Sequence, residues 1–145
     1  MNNNVYIDLE KTVAQPSWLY GTESFVLSVL EKLGKHNWDL SLFFCNNETI
    51  QKLNKQYRNL DESTDVLSFV MGEPEGERFL PGDIVISLEM VEENALHFGI
   101  PPLNEFRRLL IHGILHLSGM DHASNNEDEP MLVLQEQLLK EINSD

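Results

Sequence analysis

His112-Gly113-Ile114-Leu115-His116-Leu117-Ser118-Gly119-Met120-Asp121-His122 is the stretch on which the reading of this chain turns. His112 and His116 are four residues apart in an apolar run, so on a helix they stand one turn apart on one face. Two imidazoles so placed can share one metal ion. Working backwards, Phe106, Leu109, Leu110, Gly113 and Leu117 form one stripe, with the two histidines at its flank. The second half of this helix is apolar nearly all round, which predicts burial. Gly113 lies within the stripe, where a missing side chain lets another element approach. Gly119 is placed to end the helix at the C′ position. The chain can then turn and bring His122 back towards the same point. Three neutral imidazole nitrogens leave one position open for water, the pattern of a catalytic rather than a structural zinc site. Asp121 could orient a ligand imidazole by a hydrogen bond, or cap the turn. His36 and His97 have no such company and read as ordinary surface or helix-end histidines.

Outward from that helix, strand and helix signals alternate. Val5–Asp8 is a short strand. Ser17 can cap a helix running to about Leu33 and stopping at Gly34. Leu40–Cys45 is a mostly buried strand, and Asn46 or Asn47 caps a helix through about Tyr57. Asn59–Thr64 is a polar loop, Asp65–Val70 a strand, and Gly72–Pro81 an exposed hairpin or loop. Asp83–Ser87 is a further strand, and Ser87 can cap a helix to Phe98. Gly99-Ile100-Pro101-Pro102 breaks the chain. Asn104 caps the histidine helix, and Pro130 fits the first turn of a last helix to about Ile142, preceded by an acidic stretch, Glu127-Asp128-Glu129. The order β-α-β-α-β-β-α-α-α predicts an α+β fold: one domain over 1–145, a small mixed sheet packed with about five helices, and a metal site at the end of a buried helix. Strand order is not legible at this level.

Composition narrows the class. The chain has 145 residues, 41% of them hydrophobic, which suits one domain with a real core. No apolar run approaches the roughly 20 residues of a membrane helix. The N-terminus shows no basic region followed by an apolar stretch, so no secretory signal is expected. The single cysteine, Cys45, rules out an intrachain disulfide, fits a reducing cytoplasm, and reads as a small buried hydrophobe. Ten basic residues against 24 acidic ones give a net charge of −14, which repels nucleic acid at long range. Lys52, Lys55 and Arg58 form a local basic cluster that could line a cleft near the histidines.

The spacing His112-x3-His116-x2-Gly119-x2-His122 is that of the metzincin metalloproteases, with one departure. Those enzymes carry Glu after the first His as general base, and here that position is Gly113. With Gly there, the stretch resembles the YbeY endoribonucleases, whose His-Gly-x-Leu-His-Leu-x-Gly-x-Asp-His signature it matches at every fixed position. Two further segments resemble that family: Leu53-Asn54-x-x-Tyr57-Arg58 followed by Thr64-Asp65-Val66-Leu67-Ser68-Phe69, and Gly82-Asp83-Ile84-Val85-Ile86-Ser87. Val70 stands where the family often has Pro, and Met120 where an aromatic is common.

The resemblance implies a metal-dependent single-strand endoribonuclease of the cytoplasm. Its expected role is in ribosomal RNA processing, 16S rRNA 3′ end maturation and ribosome quality control. It implies His112, His116 and His122 as ligands of one Zn2+, or another divalent ion, with His116 and Arg58 in catalysis. Arg58 would bind the scissile phosphate or stabilise charge on it, with Lys55 as a further substrate contact. RNA and the ribosome or its associated proteins would be the partners, with no membrane. Two other classes remain open: a metallohydrolase of another substrate, metalloprotease-like or otherwise, and a non-catalytic ribosome-associated module in which the metal supports the fold.

Overall fold

In a computed structural model of the chain, which describes residues 2–120 and 129–143, the elements run β1 (Asn4–Leu9), α1 (Thr22–Lys32), β2 (Asp39–Cys45), α2 (Asn47–Arg58), β3 (Val66–Glu75), β4 (Arg78–Ser87), α3 (Leu88–Phe98), α4 (Pro102–Leu117) and α5 (Pro130–Asn143). The sheet has the order β1-β2-β4-β3. β1 and β2 are parallel, as are β2 and β4, while β3 runs antiparallel to β4. This is the mixed sheet and α+β class expected from the element order.

The period-two pattern of the strands divides the core between the two faces of the sheet. Leu40, Leu42, Phe44, Ile84 and Ile86 point to one side and pack with α1, α3, α4 and α5. Phe43, Cys45, Leu67, Phe69 and Val85 point to the other, where Ile50 and Leu53 of α2 cover part of it. α4 touches α1, α3, α5, β3 and β4. That explains its apolar circumference: Leu109, Leu110, Ile111, Ile114 and Leu115 are all buried. No helix among the described residues is long and apolar enough to cross a membrane.

Local signals hold where the hydrogen bond is local. Asn46 caps α2 by accepting from the Thr49 N–H, and Ser87 caps α3 by accepting from the Met90 N–H. Gly119 adopts φ 96°, with its N–H on the His116 carbonyl and that of Met120 on Leu115. These paired bonds close α4 in a Schellman motif. Pro130 opens α5 as expected.

Two helix starts differ from expectation, and the hairpin expected over Gly72–Pro81 is present with longer strands. α1 begins at Thr22, after Gly21 at φ 69°, and Ser17 caps nothing. Trp18 and Leu19 explain this: Trp18 packs on Phe106 and Leu19 is buried, so both serve as anchors to the core. α4 begins at Pro102 rather than after Asn104, because a proline in the first turn loses no helical hydrogen bond. The Gly72–Pro81 region is a hairpin, with β3 and β4 paired out to Glu75 and Arg78 and an irregularity between Val70 and Glu73. β3 is an edge strand, so Pro74 and Gly72 are tolerated there. The ladder continues although the β3 side chains there are exposed, because its hydrogen bonds are made by the backbone and Phe79 of β4 packs on Trp38.

Cys45 is buried, and its thiol is pushed up to about 12 by burial, with the carboxylates of Glu10 and Glu89 adding to the effect. It is an inert packing residue, as its place in the strand suggests.

Candidate functional site

His112 and His116 lie in the last two turns of α4, half-buried at the border of its covered face. Their Nε2 atoms converge to 3.2 Å, with ring centroids 4.7 Å apart. Two nitrogens bound at about 2.0–2.1 Å to one tetrahedral zinc stand roughly 3.3 Å apart. That spacing suits two corners of one such ion. The far side of His112 is occupied as well: Gln135 Oε1 of α5 lies 2.7 Å from its Nδ1. His122 and Asp121 lie outside the described residues, and no group of three or more metal-binding side chains occurs among the described ones.

Gly113 turns away from the histidines, into the sheet. A Cβ added there would stand 2.9 to 3.1 Å from three side-chain atoms of Ile84 on β4. The expected close approach is thus present, and the elements that meet are α4 and the sheet. Gly113→Ala is expected to destabilise the domain by about 1–2 kcal/mol. Overpacking costs about 1–3 kcal/mol, and alanine's better helix propensity returns up to about 1 kcal/mol. Urea unfolding reads this directly. A variant as stable as the parent would mean that Ile84 yields freely.

His112 also lines a groove of about 840 Å³, together with Asp65, Glu105, Arg108, Gln135 and Glu136. Arg108 is the cation of this groove, and its guanidinium donates along two edges. It bonds Glu136 at 2.8 and 3.1 Å and Glu105 at 2.9 Å. Glu105 is only 4% exposed. Burial raises its pKa above the usual carboxylate value, against the pull of Arg108. Asn94 spans from Glu105 to Asp65. A bidentate arginine held by two carboxylates is a structural clamp rather than a phosphate site.

The basic cluster lies on α2, whose last residue is Arg58. α2 packs on the opposite face of the sheet from α4. There Leu53 and Tyr57 line, with Tyr6, Phe43, Phe69 and Asp83, a second groove of about 580 Å³. Lys52 pairs with Glu48 at 3.3 Å and Lys55 with Asp61 at 3.8 Å, all well exposed. Arg58 ends α2, exposed, with no ion pair among the described residues. No hydrogen bond or ion pair among these residues joins Lys55 or Arg58 to the two histidines. Sequence reasoning missed Gln135, Glu136 and the Arg108 clamp. Gln135 had one visible signal, a polar residue in the stripe of Met131, Leu138 and Leu139.

The family profile of endoribonuclease YbeY matches residues 8–143. An endoribonuclease YbeY of Treponema denticola is 51% identical over 122 residues, covering 81% of this chain and 79% of the relative. One from Treponema pallidum subsp. pallidum is 47% identical over 132 residues, covering 86% and 81%. A solution structure of a Thermotoga maritima protein superposes with a TM-score of 0.68 at 27% identity, over 97% of this chain and 89% of that one. Fold, histidine pair and relatives together define the class as endoribonucleases of α+β architecture. The chain belongs to the endoribonuclease YbeY family.

Proposed function

We propose that this chain is a metal-dependent endoribonuclease that cuts single-stranded RNA during ribosomal RNA processing, including 16S rRNA 3′ end maturation, and that it serves ribosome quality control in the cytoplasm. One observation carries the reading: the two Nε2 atoms of His112 and His116 meet at the spacing of two ligands on a single tetrahedral ion. His122 would complete the set, with zinc as the ion best suited to three imidazoles. When bound, the ion supplies Lewis acidity towards a phosphoryl oxygen and lowers the pKa of water towards about 7.

The protein's own groups divide the remaining work. The half-buried imidazoles hold their lone pairs in place. Arg58, exposed at the C-terminal end of α2 with no ion pair among the described residues, would take a phosphate oxygen pair with its planar fork where the bound strand passes from the histidine groove to the end of that helix. Lys55 is a weaker candidate, since Asp61 already engages it. Peptide hydrolysis by the metzincin route lacks its base, because Gly113 faces Ile84 and presents no carboxylate. A net charge of −14 favours weak intrinsic RNA affinity, with the ribosome or an associated protein delivering the substrate.

The test is cleavage of end-labelled ribosomal RNA precursor, alone and with ribosomal particles. Chelation of metal should stop the reaction. Arg58→Ala should slow it by about 10²–10³-fold, with Arg58→Lys in between. A 2′,3′-cyclic phosphate at the new end would identify the ribose 2′-OH as the attacking group, and a 3′-OH facing a 5′-phosphate would identify water. Equal cleavage by chelated and metal-replete protein would overturn the metal-dependent reading.

A further inference from the structure

The apolar stripe of α5 is interrupted once. Met131, Leu138 and Leu139 are buried, and so is Gln135 among them, at 6% exposure. A buried amide must satisfy both of its ends. Its Oε1 lies 2.7 Å from His112 Nδ1, and its Nε2 donates to Glu136 Oε2 at 3.1 Å.

Charge decides which end faces which partner. A carboxylate has no proton to give, so Glu136 takes the NH2 end and leaves the carbonyl oxygen to the histidine. Glu136 is in turn kept ionised. Burial opposes this, but hydrogen bonds from Arg108 and Gln135 outweigh it, and the carboxyl is held below its usual range. Arg108 is itself fixed by Glu105 from the other side. An amide oxygen only accepts, so the proton of the neutral imidazole belongs on Nδ1, and Nε2 presents its lone pair. That lone pair points at the place where His116 Nε2 also converges, 3.2 Å away.

We propose that Gln135 is a positioning residue: it fixes His112 in the Nδ1-protonated tautomer and holds the ring against rotation, while Glu136 and Arg108 orient the amide from behind. The inference rests on the reading of His112 and His116 as metal ligands. It makes α5 part of the site, although Gln135 would act through His112 rather than as a ligand. The tautomer required for ligation is set before any metal arrives, so the ligand needs no rearrangement on binding.

The test titrates Zn2+ into the metal-stripped full chain against a competing chelating dye. The parent should take up one ion, and His116→Ala should lose it. Gln135→Leu keeps the side chain's volume but removes the acceptor, and should bind zinc about 10–100-fold more weakly. Gln135→Glu restores an acceptor for the Nδ1 proton but sets a second carboxylate against Glu136, and should recover part of that loss. Long-range 1H–15N correlation of the metal-stripped parent should show His112 protonated at Nδ1. Parent-like affinity in a folded Gln135→Leu, or an Nε2-protonated His112 in the parent, overturns the proposal. Absence of zinc binding by the parent, or its retention by His116→Ala, overturns the metal reading instead. Should Gln135→Leu fail to fold, the tautomer of the parent still decides.

Discussion

Replacing His116 by alanine is expected to end RNA cleavage while leaving a folded domain. The imidazole is half-buried at the border of α4, whose helix is anchored by Leu109, Leu110, Ile111, Ile114 and Leu115. None of those contacts depends on it. What is lost is one of two converging nitrogens, and with it the grip on a shared ion. Metal-assisted phosphoryl chemistry rests on several kcal/mol of transition-state stabilisation, so the rate should fall by about 10³-fold or more. The measurement is single-turnover cleavage of labelled precursor RNA, with circular dichroism and urea unfolding on the same preparation. A folded variant that cleaves at the parent's rate would remove the histidine pair from the reaction. A variant that loses both activity and fold would favour a metal that supports structure.

Gly82→Ala should have the largest effect on stability. Gly82 pairs with Val70 in the β3–β4 ladder at φ 138°, a region that side chains rarely enter. An added Cβ would press deep into the Phe69 carbonyl oxygen and reach within 3.0 Å of the Met71 nitrogen. Both are backbone atoms of the facing strand, so no rotamer change relieves the clash. Either the ladder opens or the strand shifts, and the strand carries Leu67, whose side chain is buried in the second core cluster. The cost should exceed about 4 kcal/mol, the range reserved for severe lesions, against a typical total of about 5–15 kcal/mol. Gly76→Ala is the control. It also sits at positive φ, 62°, but nothing lies within 4 Å of its added Cβ, so it should cost only about 1 kcal/mol. Urea unfolding of the two variants separates strain alone from strain with collision. Equal midpoints would show that the close approach of β3 and β4 is dispensable.

Much of the site is legible in the sequence. The four-residue spacing of His112 and His116 places both on one face of any helix, and the observed convergence of their nitrogens follows from that geometry. Gly119 as a helix stop, the caps at Asn46 and Ser87, and the burial of Cys45 are equally local. Each depends on bonds or periodicities within a few residues, which the sequence states directly. Even the close contact at Gly113 was visible as a gap in an apolar stripe, though not the identity of Ile84 as the side chain that fills it.

Tertiary structure alone decided the rest. The strand order β1-β2-β4-β3 and the pairing of the hairpin out to Glu75 and Arg78 depend on backbone hydrogen bonds between strands and on the packing of Phe79 against Trp38, neither of which a local pattern states. Arg108 and Arg58 look alike in the sequence. The fold commits Arg108 to Glu105 and Glu136, and leaves Arg58 exposed at the end of a helix on the other face of the sheet. Gln135 acquires its role only because α5 packs on α4 at the turn where His112 stands, 23 residues away in the chain. Helical periodicity specifies which residues of one helix share a face, but not which face of another helix it will meet. That choice is made by the packing of the whole core.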